Sequence, residues 1–222
     1  MKLLPAVLAA VLPLAAQVAD KANERYKTPE GRAGMLGNLG APDRADRIQA
    51  SRIVQALAIQ PGQSVADLGT GGGALLPALS QAVGPQGIVF AQDIFDDFLE
   101  SARRKSAAGG LNNVQFVKGT EKNVNLPPGS VDLAVTVDAY HHFDYPREVL
   151  ASVKTALRPG GRFVIVDYYK RPGAMSGADA VQHIRLDLPD VIREVTGFGW
   201  RLVEERIHVP NSQYIVVFTP AQ

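Results

Sequence analysis

The stretch VADLGTGGGALL, Val65–Leu76, is a short apolar run that stops in a loop holding four glycines. Such a run reads as a buried strand passing into a turn where a ligand can approach bare backbone. Two cofactor templates fit it. Counted from Gly69, the spacing G-x-G-x-x-A is an allowed form of the dinucleotide fingerprint. Counted from Asp67, it is D-x-G-x-G-x-G, a nucleoside loop with a carboxylate at the strand end. A dinucleotide needs the next helix N-terminus aimed at its pyrophosphate. A ligand with a sulfonium and an amino-acid tail has no phosphate and gains from a nearby acid such as Asp67. The loop alone leaves both open.

Working outward, strand candidates alternate with helical stretches. Val65–Leu68 precedes a helix over 74–82, Ile88–Gln92 a helix over 95–107, and Val114–Val117 a loop with Pro127-Pro128-Gly129. Leu133–Val137 precedes a helix over 147–157, and Phe163–Val166 a Gly-rich break and a helix over 180–196. Several strands are unbroken apolar runs, as expected where helices cover both faces of a parallel sheet. The last two, WRLVEERI and QYIVVF, are joined by a link too short for a crossover helix, so they should pair antiparallel. The expected fold is α/β: a doubly wound, mostly parallel, seven-stranded Rossmann-like sheet closed by an antiparallel C-terminal hairpin.

Asp93 ends the second strand, 26 residues after Asp67, where a carboxylate can accept from both hydroxyls of a ribose. That supports either adenosine-bearing cofactor. The segment DAYHHFDY, Asp138–Tyr145, ends the fourth strand and faces the same side, offering Asp138, Tyr140, His141 and His142. Asp167, Tyr168 and Tyr169 follow the fifth strand, and His183 and Arg185 lie on the helix after it.

The chain resembles the class I S-adenosylmethionine-dependent methyltransferases over nearly its whole length after the N-terminal run. VADLGTGGGAL is similar to that family's first motif, and GIVFAQDIFDDFLESAR to its second-strand acid and helix. VQFVKGTEKNVNLPPGSVDLAVTVDAYHHF is similar to its third and fourth strands, and ALRPGGRFVIVDY to its helix, Pro-Gly-Gly turn and fifth strand. The likeness is greatest to bacterial enzymes of the quinone-methylating group and to exported relatives. It implies S-adenosylmethionine as cofactor, with Asp67, Gly69, Thr70, Gly71 and Gly73 around its methionine portion. It also implies Asp93 on the ribose, Ile94 against adenine, Thr120 or Glu121 at the adenine amino group, and Asp138 near the cofactor's amino group.

Methyl transfer needs donor and acceptor held in line with water excluded, and a base only where the acceptor must lose a proton. His141, His142 and Asp138 are the candidate catalytic groups; Tyr140, Asp167, Tyr168, Tyr169 and His183 are expected to line the acceptor side. No metal is expected, because no third ligand lies at a recognisable spacing from the histidine pair. The partner is a small-molecule acceptor; two other readings remain, an NAD-dependent oxidoreductase and a non-catalytic S-adenosylmethionine-binding protein.

Bulk properties narrow the class. The 222 residues suit one sizeable domain. A net charge of +1 and only one basic triplet, Arg103-Arg104-Lys105, give no nucleic-acid footprint. The absence of cysteine excludes disulfides, thiolate metal sites and thiol nucleophiles. Residues 1–19 read as a signal peptide cut near 16–19: Lys2 precedes an apolar run, Leu3–Ala16, too short for an ordinary membrane span. The expectation is an exported, periplasmic protein without a stable membrane span, the alternative being cytoplasmic. Residues 20–47 form a polar lead-in or lid segment with at most a short helix, its Arg25 and Tyr26 being candidates to close over the cofactor, and 48–222 a single domain. Oligomeric state is not legible.

Overall fold

The computed structural model describes residues 18–221, so most of the expected leader lies outside the described residues. Seven strands form one sheet: β1 (Ser64–Leu68), β2 (Ile88–Asp93), β3 (Val114–Lys118), β4 (Val131–Val137), β5 (Leu157–Tyr168), β6 (Trp200–Val209) and β7 (Gln213–Pro220). Their order is β3-β2-β1-β4-β5-β7-β6. The first five are parallel; β7 runs antiparallel to both β5 and β6, so the closing hairpin inserts its second strand.

Each central strand feeds two cores, because successive side chains leave opposite faces. Val65 of β1 and Leu133 and Val135 of β4 pack on one side with α3 (Ala50–Leu57), α4 (Leu76–Val83) and Ala102 of α5 (Asp96–Ala108). Ala66, Leu68 and Ala134 pack on the other with α6 (Pro146–Ala156) and the last helix. All five residues of β1 are buried. Full burial of a side chain such as Leu68 contributes about 1.5–3 kcal/mol, which holds the strand end where the glycine loop begins.

Three elements depart from the sequence reading. The lead-in segment is more helical than expected: α1 (Pro29–Leu39) spans 11 residues, followed by α2 (Arg44–Arg47). Thr28 caps α1 by accepting from the Gly31 N–H at 3.1 Å, and Pro29 takes the first helical position. No residue of α1 is buried, so there was no apolar periodicity to read. The helix expected over 180–196 is two, α7 (Ala180–His183) and α8 (Leu188–Gly197). Pro189, at the start of α8, cannot continue a helix from before it, and the chain turns at Ile184. β5 begins at Leu157, earlier than expected, and takes in the Pro-Gly-Gly turn.

Among the described residues no helix is long and apolar enough to cross a membrane. The sheet order reverses at β1, which lies between β2 and β4, and a ligand crevice belongs at the carboxyl ends of those strands.

Candidate functional site

A cleft of about 450 Å³ opens there. One wall is the loop after β1. Gly69 and Thr70 both donate backbone N–H to the Gln92 carbonyl at 2.9 Å, which ties the loop to the end of β2. Gly71 sits at φ +54 and turns its N–H onto Asp93 Oδ2 at 2.9 Å. Gly72 has no room for a side chain: a Cβ would lie 2.7 Å from the Gly40 backbone, so the lead-in segment rests directly on the loop. Gly73 is different. It does not line the cleft but lets Ala102 of α5 pack close, a structural part rather than a contact for a ligand.

Asp67 and Asp93 are each buried at the cleft floor. Asp67 accepts from the Thr70 hydroxyl at 2.7 Å; Asp93 accepts from the Gly71 and Phe95 N–H groups. Burial pushes Asp67 up to about 7, against the lowering effect of the Thr70 hydrogen bond, and the charge of Asp93 adds to the rise. Burial likewise pushes Asp93 up to about 6, while the N–H groups of Gly71, Phe95 and Ile94 oppose it. Two desolvated carboxylates at a loop make a poor seat for a pyrophosphate and a good one for a cationic ligand with a ribose. Asp67, at the strand end, favours the sulfonium reading of the loop over the dinucleotide one.

Ile94, Phe95, Thr120, Glu121 and Val124 line the adjoining part of the cleft. The Thr120 hydroxyl already accepts from the N–H groups of Lys122 and Asn123, so it serves its own turn. Glu121 is exposed at the cleft edge, and among the described residues no hydrogen bond takes up its carboxylate.

The opposite wall is assembled from distant residues. Tyr26 stacks on Phe95 at 6.0 Å and meets His142 edge-on at 4.8 Å. Arg32 bonds Asp97 at 2.8 Å and lies over the Phe95 ring. Arg44 of α2 bonds Asp138 at 2.6 Å, and Gln213 and Tyr168 donate to the same carboxylate at 2.6 and 3.3 Å. With φ +52 and three donors on it, Asp138 is a hub joining α2, β4, β5 and β7, and its oxygens are taken. Asn23, Arg32, Arg44 and Gln213 were not among the sequence candidates. Three of them come from the lead-in segment, where a lone polar residue carries no pattern.

His142 lines the cleft, whereas His141 lies behind it. His141 is 4% exposed and bonds Asp167 Oδ1 through Nδ1 at 2.7 Å; Asp167 Oδ2 also accepts the His141 N–H at 3.1 Å. Asp167 therefore positions His141 and does not line the cleft. Tyr140 is also misplaced by the sequence reading. It is 1% exposed in the far core and donates to Glu194 at 2.7 Å, beside Arg185, which grips Glu194 through both terminal nitrogens. The 3-10 turn at Tyr140–His142 sends these neighbours in different directions. Tyr169 packs on Tyr214 and Arg171, away from the cleft, while Tyr168 reaches its edge through Asp138. His183, at the end of α7, meets both His141 and His142.

Residues 66–165 match the family model of the methyltransferase domain. The chain is 30% identical over 116 residues to a ubiquinone/menaquinone biosynthesis C-methyltransferase of Ectopseudomonas mendocina, covering 52% of this chain and 45% of that protein. It is 29% identical over 142 residues to the uncharacterized methyltransferase YcgJ of Bacillus subtilis, covering 62% and 53%. The chain thus spans about half the length of these curated relatives. Among solved structures, a SAM-dependent methyltransferase from Aquifex aeolicus superposes with a TM-score of 0.77 at 25% identity, covering 83% of this chain and 96% of that one.

Proposed function

We propose that this chain, which belongs to the class I S-adenosylmethionine-dependent methyltransferases, transfers the donor's methyl group to a small organic acceptor. The observation that carries the proposal is the pair of buried carboxylates, Asp67 and Asp93, set around a glycine loop at the switch point of the sheet. The donor, when bound, supplies a methyl carbon activated by a sulfonium. Asp67 faces that cation and the amino-acid tail, and Asp93 accepts from the ribose hydroxyls with the lone pairs that Gly71 and Phe95 leave free. Ile94 and Phe95 flank the base, with Glu121 at its amino group.

The remaining residues orient the acceptor and exclude water. Tyr26, Arg32 and α1 roof the cleft, and the Gly72–Gly40 contact holds that roof on the donor loop. Arg44 and Asp138 neutralise one another at the acceptor end, so neither presents a net charge to an incoming neutral acceptor. Burial holds the His142 pKa well below its ordinary value, and the neighbouring His141 and His183 lower it further. His142 is therefore neutral at physiological pH and a weak base, suited to orienting an acceptor more than to removing a strongly held proton. An acceptor screen with methyl-labelled donor, run on quinols, phenols and other small hydroxylated or carbon-nucleophile compounds, tests the reading. Label in an acceptor supports it; donor binding without transfer to any class turns the account to a binding protein.

We read the apolar run up to Ala16, within the expected 1–19 segment, as an export leader and the working protein as periplasmic. Ala19 is 2% exposed and its N–H bonds Asp144 at 3.0 Å, so a cut after Ala16 preserves the docked segment. Fractionation with mass determination of the mature N-terminus checks this: an intact Met1 on cytoplasmic protein rejects export.

A further inference from the structure

Three of the chain's four histidines meet at one place beside the cleft. A ring nitrogen of each of His141, His142 and His183 lies within 4.8 Å of one from each of the others. The rings are 4.1 Å apart for His141–His142, 5.0 Å for His141–His183 and 5.2 Å for His142–His183. His141 and His142 come from the turn after β4, and His183 from the end of α7, where the break before α8 turns the chain.

The hydrogen bonds fix two of the tautomers. His141 Nδ1 faces the Asp167 carboxylate at 2.7 Å, which accepts, so Nδ1 carries a proton and Nε2 is the nitrogen turned to a ligand. His142 Nδ1 faces Asn23 Oδ1 at 2.8 Å. That amide is oriented without ambiguity: Asn23 Nδ2 donates to the His142 carbonyl and to Asp144 Oδ2, both at 2.9 Å. Oδ1 must therefore accept, and His142 keeps its lone pair on Nε2. Among the described residues the His183 ring makes no hydrogen bond and is free to choose its tautomer. Each fixed imidazole thus has the arrangement of a metal-bound histidine, with an acceptor behind Nδ1 holding the ring and raising its basicity. A carboxylate stands behind each: Asp167 directly, and Asp144 through Asn23.

We propose that His141, His142 and His183 form a binding site for a zinc-class divalent transition-metal ion at the acceptor end of the cleft. Three neutral imidazoles suit zinc(II), and a three-histidine set leaves one tetrahedral position for an exogenous ligand. Seating the ion draws the three nitrogens to about 3.4 Å from each other, as Zn–N bonds of about 2.1 Å at tetrahedral angles require. Rotation of half-buried His183, whose ring makes no hydrogen bond among the described residues, supplies most of that movement, while buried His141 is the fixed point. Two further facts bear on charge. Asp167 favours a cation here, and the Arg25 guanidinium, whose field also reaches His183, opposes it.

The site stands apart from the donor assignment, and the experiment separates them. The full chain, without a histidine tag and freed of metal by a chelator, is titrated with zinc(II) by calorimetry and with cobalt(II) by visible absorption. One equivalent should bind, and cobalt should give the intense bands of a four-coordinate site. His183→Gln and His142→Gln should each abolish that equivalent, and Asp167→Asn should weaken it about 10- to 100-fold through loss of the His141 orienter. Thermal melting and S-adenosylmethionine binding of the same variants establish that they are folded. Failure to bind a stoichiometric ion, or binding that survives both histidine substitutions, overturns the site. Metal binding without donor binding leaves the site standing and counts against the donor assignment alone.

Discussion

The donor wall of the cleft is mostly backbone drawn from one short stretch, with Asp93 added from the next strand, whereas the facing wall is side chains from far apart. Gly69, Thr70 and Gly71 are pinned through their N–H groups to Gln92 and Asp93 at the end of β2, and Gly69, Gly71 and Gly72 present bare Cα atoms. Across from them, Tyr26, Arg44, Asp138, His142 and Gln213 meet only because five elements converge. A backbone site tolerates changes of side chain but not of geometry. A side-chain site is open to substitution one residue at a time, which under the proposed function suits a wall that matches one acceptor. The same donor can then serve many acceptors on one fold.

This contrast can be broken at the hub of the facing wall first. Arg44→Ala strands the Asp138 carboxylate, whose side chain is 6% exposed, without its cation. Loss of one partner of a buried pair costs about 3–5 kcal/mol, here near the lower end because Gln213 and Tyr168 still donate. Denaturant unfolding should show that loss, and an unchanged midpoint would return the pair to the status of a surface contact. On the donor wall, Asp93→Ala should weaken S-adenosylmethionine binding by about 1–3 kcal/mol, roughly 5- to 150-fold, with the fold retained. An unaltered dissociation constant would remove Asp93 from the ribose.

The pH response sharpens the comparison, since the raised carboxylates are all on or beside this cleft. A cationic donor favours ionised Asp67, which is held up at about 7 in the free protein. Affinity should therefore fall as pH drops below about 7, by at most about tenfold per unit for one linked proton, and binding near pH 7 should release protons. For stability the sign is reversed. Asp67 and Asp93 bind protons more tightly folded than unfolded, so the unliganded protein should lose stability as pH rises from about 4 to about 7. Calorimetry in buffers of different ionisation enthalpy measures the first, and melting against pH the second. The smallest effect is expected for Tyr26→Phe. Its role rests on ring stacking with Phe95, Phe98 and His142, so donor affinity and stability should stay within about 0.5 kcal/mol. A larger change would point to work for the hydroxyl.

The same contrast explains what could be read from residues alone. Strand runs such as Val65–Leu68 and Phe163–Val166 announce themselves because buried parallel strands are unbroken apolar text, and the short link before QYIVVF dictates an antiparallel close. Asp67, Gly69–Gly71 and Asp93 were legible because strand ends set their spacing. Arg44, Gln213 and Asn23 were not, since a lone polar residue in a polar stretch carries no pattern. Tyr140 was misassigned because a single 3-10 turn sends it into the core and its neighbour His142 to the cleft. His183 was seen as a separate lining residue. Only the break between α7 and α8, set by Pro189, brings it against His141 and His142.

Titration of the full chain with S-adenosylmethionine, and in parallel with NAD, tests the account at its centre. Saturable one-to-one binding of S-adenosylmethionine, weakened in Asp93→Ala and accompanied by no response to NAD, is the predicted result. Tight binding of NAD with none of S-adenosylmethionine would contradict it.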